Sequence, residues 1–93
     1  MSLYDYNQVK PLLEGDPAFY TLIMAAMDRA DTFNLERLRA AFPETYEEYR
    51  ARYNAPRGLL PGERDEEGYQ RRDDGALLGP EGELLRQPDG SMV

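Results

Sequence analysis

The sequence predicts a mainly α-helical protein with a small turn-rich appendage, and three observations carry that prediction. Residues 16–54, DPAFYTLIMAAMDRADTFNLERLRAAFPETYEEYRARYN, hold nearly every side chain able to build a core and repeat apolar groups at helical spacing. Within them a single proline, Pro43, interrupts the repeat after the helix has begun. Beyond residue 61 the helical pattern stops and acidic-glycine pairs recur: Glu67-Gly68, Asp74-Gly75, Glu81-Gly82 and Asp89-Gly90. The fold class is therefore mainly α: a helical hairpin bent at Phe42-Pro43, with an N-terminal arm and a small β-meander or a disordered C-terminal tail. Two domains follow, 1–61 as the helical hairpin with its arm and 62–93 as the acidic, turn-rich tail.

Residues 1–15 form the arm. Leu3, Tyr6 and Val9/Lys10 are spaced for a short helix that Pro11 limits, and so short a helix is unstable alone. Tyr4, Tyr6, Leu12 and Leu13 are expected to dock on the body of this chain or of a neighbouring subunit.

Asp16 as N-cap and Pro17 at the first helical position open a helix predicted to run to about Ala30. Phe19, Leu22, Ile23, Ala26, Met27 and Ala30 mark one face, while Tyr20 and Met24 place apolar groups on the other side. A helix apolar nearly all round is buried on more than one side, so a homo-oligomer assembled through this helix is expected.

Asp31, Thr32 and Asn34 are each suitable N-caps for a second helix beginning within a residue or two of Leu35. Leu35, Leu38, Ala41 and Phe42 give its inward face, and Glu36, Arg37 and Arg39 point outward. Phe42 is pushed from helical angles by Pro43, so the helix either kinks there or restarts with Pro43 at its first turn, and the third helical stretch runs to about Tyr53, with Asn54-Ala55-Pro56 as its stop. Glu63 to Glu67 reads as a charged linker.

The tail admits two readings. The acidic-glycine turns suit tight hairpins in which glycine takes positive φ, with strands near 69–72, 76–78, 83–87 and 91–93. Yet residues 62–93 carry nine acids against four arginines, net −5, while residues 1–61 carry nine against seven bases, net −2. Such acidity also suits disorder.

Composition removes several function classes. With no cysteine and no histidine, disulfide scaffolds, thiolate metal sites and the commonest general base are excluded. A net charge of −7 argues against duplex nucleic acid as a partner. A helix-turn-helix reading fails on its reading helix, because YEEYRARY would bring as many acids as arginines to DNA. No run of about 20 apolar residues is present to span a membrane and no secretory signal opens the chain, so a cytoplasmic protein is expected.

Carboxylate pairs such as Glu44 and Glu48 lie on an outward helix face with no phosphate-binding loop or nucleophile beside them. No enzyme, cofactor or metal is expected. Ten of eleven basic residues are arginine and seven residues are tyrosine, a pairing suited to binding. The candidate ligand-binding residues are Tyr46, Tyr49, Arg50, Tyr53, Asn54 and Arg57: tyrosine rings stack on bases, arginine forks hold phosphates, and Gly58 admits an anion near backbone amides. The alternative is that the tyrosines merely cover the hairpin core. Arg71-Arg72 offers a second cationic patch, beside Asp73-Asp74 that would neutralise it.

Residues 19–63, FYTLIMAAMDRADTFNLERLRAAFPETYEEYRARYNAPRGLLPGE, resemble small accessory proteins of tailed phages and prophages. The resemblance implies a role exercised by binding. It points to a non-catalytic phage-type protein that counters host defence by sequestering a small anionic ligand such as a cyclic nucleotide, in the host cytoplasm. The alternatives are a protein-directed inhibitor of a host defence enzyme, acting through its acidic surface, or a minor structural part of the virion.

Overall fold

In the computed structural model, which describes residues 1–93, the order is α1 (Leu3–Asn7), α2 (Val9–Leu13), α3 (Phe19–Arg29), α4 (Thr32–Ala41), α5 (Pro43–Asn54), a 3-10 turn (Pro56–Gly58), β1 (Gln70–Arg71), β2 (Leu77–Leu78) and β3 (Leu84–Arg86). The chain is mainly helical, and its acidic end holds a three-stranded antiparallel sheet in the order β1-β2-β3. It divides into two compact units, Met1–Tyr46 and Glu47–Val93, the division falling inside α5. The compositional break at residue 61 lies within the second unit, because the segment before it is tied to the sheet by side chains described below.

In the first unit the arm forms two short helices. Pro11 is the third residue of α2 and does not limit it, since a proline in the first turn forfeits no helical hydrogen bond. The expected docking of Tyr4, Tyr6, Leu12 and Leu13 on the body of this chain does not occur: every residue of α1 and α2 is exposed. Asp16 is likewise not the N-cap of the long helix. It takes φ 50 and donates its amide to the Leu13 carbonyl at 2.8 Å, closing off α2, and α3 begins at Phe19 behind Ala18 instead. The cap at the next helix is as expected, with the Asp31 Oδ1 accepting the Asn34 amide at 2.8 Å, although α4 starts at Thr32, earlier than Leu35 suggested.

α3 packs on α4, burying Met27, which is 2% exposed, with Leu22, Ile23, Leu35 and Leu38 half-buried around it. The Phe19 ring meets that of Phe42 edge-on, centroids 6.0 Å apart, joining the start of α3 to the residue after α4. Phe42 itself has φ −134 and ψ 66, outside the helical region, so α4 ends and α5 restarts at Pro43.

The second unit is built on one turn used four times. The carbonyls of Asp65, Arg72, Gly79 and Gln87 accept from the amides of Gly68, Gly75, Gly82 and Gly90, and their amides donate to the carbonyls of Tyr69, Ala76, Glu83 and Ser91. That pair of bonds defines a three-residue hairpin loop ending in a left-handed residue. Gly75, at φ 96, illustrates why the last position is glycine. The first of these turns occupies Asp65 to Gly68, so Glu63 to Glu67 is part of the meander and not a linker. β1 and β2 pair Gln70 with Leu78 and Arg71 with Leu77, while β2 and β3 pair Leu78 with Leu84 and Leu77 with Arg86 across a bulge. The strand expected at 91–93 is reduced to one bridge between Arg86 and Met92.

Candidate functional site

Strands of two and three residues bury little, and the second unit has only Leu59, Ala76, Leu77 and Gly79 fully inside. Arginines make up the difference. Arg52, on the last turn of α5, donates from Nη1 and Nη2 to the two carboxylate oxygens of Glu63 at 2.8 and 2.9 Å, and from Nη1 to the Gly58 carbonyl at 2.9 Å. Its Nε reaches Glu48 at 3.3 Å. Glu63 in turn accepts the Leu60 amide at 2.7 Å. The Arg52 guanidinium, then the Leu60 amide, hold the Glu63 carboxyl well below the usual carboxylate range, at about 2. Arg71 ties the sheet to the chain before it, donating to the carbonyls of Leu59 at 2.8 Å and Gly75 at 2.7 Å.

The sequence-predicted site is split by this arrangement. Tyr46 belongs to the first unit, where it is buried and lies beneath the Arg39 guanidinium, 5.2 Å from its ring centroid. Tyr49, Arg50, Tyr53, Asn54 and Arg57 belong to the second. Tyr49 and Tyr53 have ring centroids 6.0 Å apart, and Tyr53 is 73% exposed. Arg50 and Asn54 are exposed, and Arg50 makes no ion pair.

Arg57 is fully engaged within its own unit. Its Nε donates to Asp65 at 3.0 Å, its Nη2 lies 3.0 Å from Glu67, and its guanidinium stacks 3.7 Å above the Tyr69 ring centroid. It holds φ 56, a left-handed angle unusual for a residue with a side chain, and these three contacts hold it there. Partial burial pushes the Asp65 carboxyl up; Arg57 and the amides of Tyr69 and Glu67 outweigh it and leave that carboxyl lowered. Arg72 is paired with Asp74 at 2.7 Å, as the neighbouring acids in the sequence suggested. Asp73 and Asp74, with Gly62, Gln70, Arg71 and Arg72, line an open groove of about 510 Å³ whose charges largely cancel.

Sequence reasoning missed a second arginine-bearing surface. Arg29 at the end of α3 and Arg37 on α4 line a groove of about 490 Å³ in the first unit, with Asn34 between them and Ala26, Ala30 and Leu38 completing its walls. No acid lines it, and neither arginine makes an ion pair; Arg37 lies 4.3 Å over the Phe33 ring. The available signal was the spacing Arg29-Asn34-Arg37 across the Asp31 turn, which only the packing of two helices converts into one surface. Two guanidiniums over an apolar wall can hold a phosphate or carboxylate while a ring or hydrocarbon covers the alanines. No group of acidic side chains is arranged to hold a metal ion.

Comparison of the chain with protein-family models, with curated proteins and with solved structures finds no match in any of the three.

Proposed function

We propose that this is a non-catalytic binding protein that sequesters a small anionic ligand, of the class of cyclic nucleotides. The observation that carries the reading is the Arg29–Arg37 groove: two guanidiniums without carboxylate partners and no lining acid, in a chain with 18 acids against 11 bases. Its volume of about 490 Å³ is in the range of small-ligand sites. Arg50, Tyr53 and Asn54, exposed on the last turns of α5, form a second surface of the same chemistry. The mainly helical body reads as a hairpin bent at Phe42-Pro43. No helix is long and apolar enough to cross a membrane, which supports a cytoplasmic setting. The likeness of residues 19–63 to small phage accessory proteins supports a role against a host nucleotide signal.

Native mass spectrometry of the protein with a pool of cyclic di- and trinucleotides tests this. Integral ligand masses are expected, lost in Arg29→Ala/Arg37→Ala if the groove is the site and in Arg50→Ala/Tyr53→Ala if the end of α5 is. Absence of any bound mass overturns the reading.

A second reading is protein-directed inhibition through the acidic unit, favoured by Glu66, Asp73, Glu81 and Glu83, which are exposed and make no ion pair. Binding to a basic host protein would then weaken steeply with salt.

A further inference from the structure

The N-terminal arm poses a physical problem that a single chain does not solve. α1 and α2 have five residues each, far below the length at which an isolated helix is stable in water, and neither buries a single residue. Yet they carry Leu3, Tyr4, Tyr6, Val9, Leu12 and Leu13, all exposed, with Leu3, Tyr6 and Leu12 at 73%, 74% and 65%. Polar side chains would serve a solvated arm better. Phe19 and Tyr20, at the start of α3, are exposed beside one another with ring centroids 5.1 Å apart.

The exposed area of the arm agrees. The six apolar side chains of the arm present on the order of 800 Å², which is the area one partner contributes to a stable interface of standard size.

We propose that the arm and the start of α3 form a self-complementary interface, and that a second copy of this chain covers them in a two-fold homodimer. Charge selects that occupant. The protein as a whole carries −7, which opposes self-association, but residues 3–13 contain one acid, Asp5, and one base, Lys10, and the stretch 17–27 contains no charge at all. The apolar surface is the part of the molecule where two copies meet without like-charge repulsion. An isologous contact also supplies both the patch and its cover from one sequence. The inference is independent of any ligand.

Sedimentation velocity over a wide concentration range tests it. A dimer that dissociates on dilution is expected, together with Tyr6→Glu/Leu12→Glu protein that dimerises at least about tenfold more weakly and keeps its far-ultraviolet circular dichroism. Both side chains are exposed, so the fold of the chain does not depend on them. Should the variant lose helicity, hydrogen exchange of the native chain decides: protection at Tyr4–Leu13 rising with protein concentration supports the interface. A wild-type protein monomeric at every concentration, a dimer indifferent to the double substitution, or arm protection independent of concentration overturns it.

Discussion

Arg52 and Glu63 meet fork to fork, Nη1 on Oε1 at 2.8 Å and Nη2 on Oε2 at 2.9 Å, and this pair fastens the end of α5 to the first residues of the meander. Both side chains are about a third exposed, so solvent screens their attraction. The pair matters because each member also satisfies backbone: Arg52 the Gly58 carbonyl, Glu63 the Leu60 amide. Arg52→Ala leaves the Gly58 carbonyl and the Glu63 carboxylate without the guanidinium, and a fall in Tm of about 5 °C is expected by differential scanning calorimetry. Arg52→Lys should recover only part of it, since an ammonium cannot bridge both oxygens.

Stability should depend on acid through the same pair. Glu63 is lowered from the ordinary 4.5 to about 2 in the fold, so the unfolded chain takes up a proton first as pH falls. The stabilisation is fully present above about 4.5 and is lost as pH falls from there through about 2. Asp74 and Asp89 are lowered too, by Arg72 and by Ser91 respectively, and act in the same direction. Thermal melts of wild type and Glu63→Gln against pH check this: the gap between them should be widest near neutrality and close in acid.

Gly75 and Gly82 occupy equivalent positions in successive turns, at φ 96 and φ 84. A Cβ on Gly82 meets open space, so Gly82→Ala bears only the backbone cost, about 1 kcal/mol. On Gly75 the Cβ would stand 3.2 Å from the Pro88 carbonyl oxygen, and Gly75→Ala should lose more. Urea denaturation of the two variants gives the comparison directly.

Arg50 and Arg57 differ in what they do, although seven residues of sequence give no hint of it. Arg57→Ala removes the partner of Asp65 and Glu67 and the cover of Tyr69, and should lower Tm; Arg57→Gly should lower it less, because glycine adopts φ 56 without cost. Arg50→Ala should stay within about 0.5 kcal/mol of wild type, as an exposed residue with no partner. A ligand-affinity loss in Arg57→Ala is therefore interpretable only beside its melting curve.

Binding in the groove predicts a salt dependence of its own. If Arg29 and Arg37 hold an anion, removing either should weaken a cyclic dinucleotide by about tenfold, the cost of one charge-assisted contact, with Tm unchanged. Isothermal titration at two salt concentrations measures it.

Local chemistry was legible in the residues themselves. Asp31 capping α4, the break in the helix at Phe42-Pro43 and the glycine turns at Gly75, Gly82 and Gly90 each depend on neighbours within four positions, where steric and hydrogen-bonding preferences act directly. Asp16 was misread because two local preferences competed there: it suits an N-cap, but it also suits the left-handed residue that ends α2, and the latter prevailed. What the tertiary structure alone decided is which arginines remain open to a partner. Arg52, Arg57 and Arg71 look the same in sequence as Arg29, Arg37 and Arg50. The meander's own carboxylates and carbonyls engage the first three. The packing of α3 on α4 brings Arg29 and Arg37 to one acid-free groove. A guanidinium is recruited by whichever acceptor the fold carries to it, and that distance is a property of the folded chain, not of its spacing along the sequence.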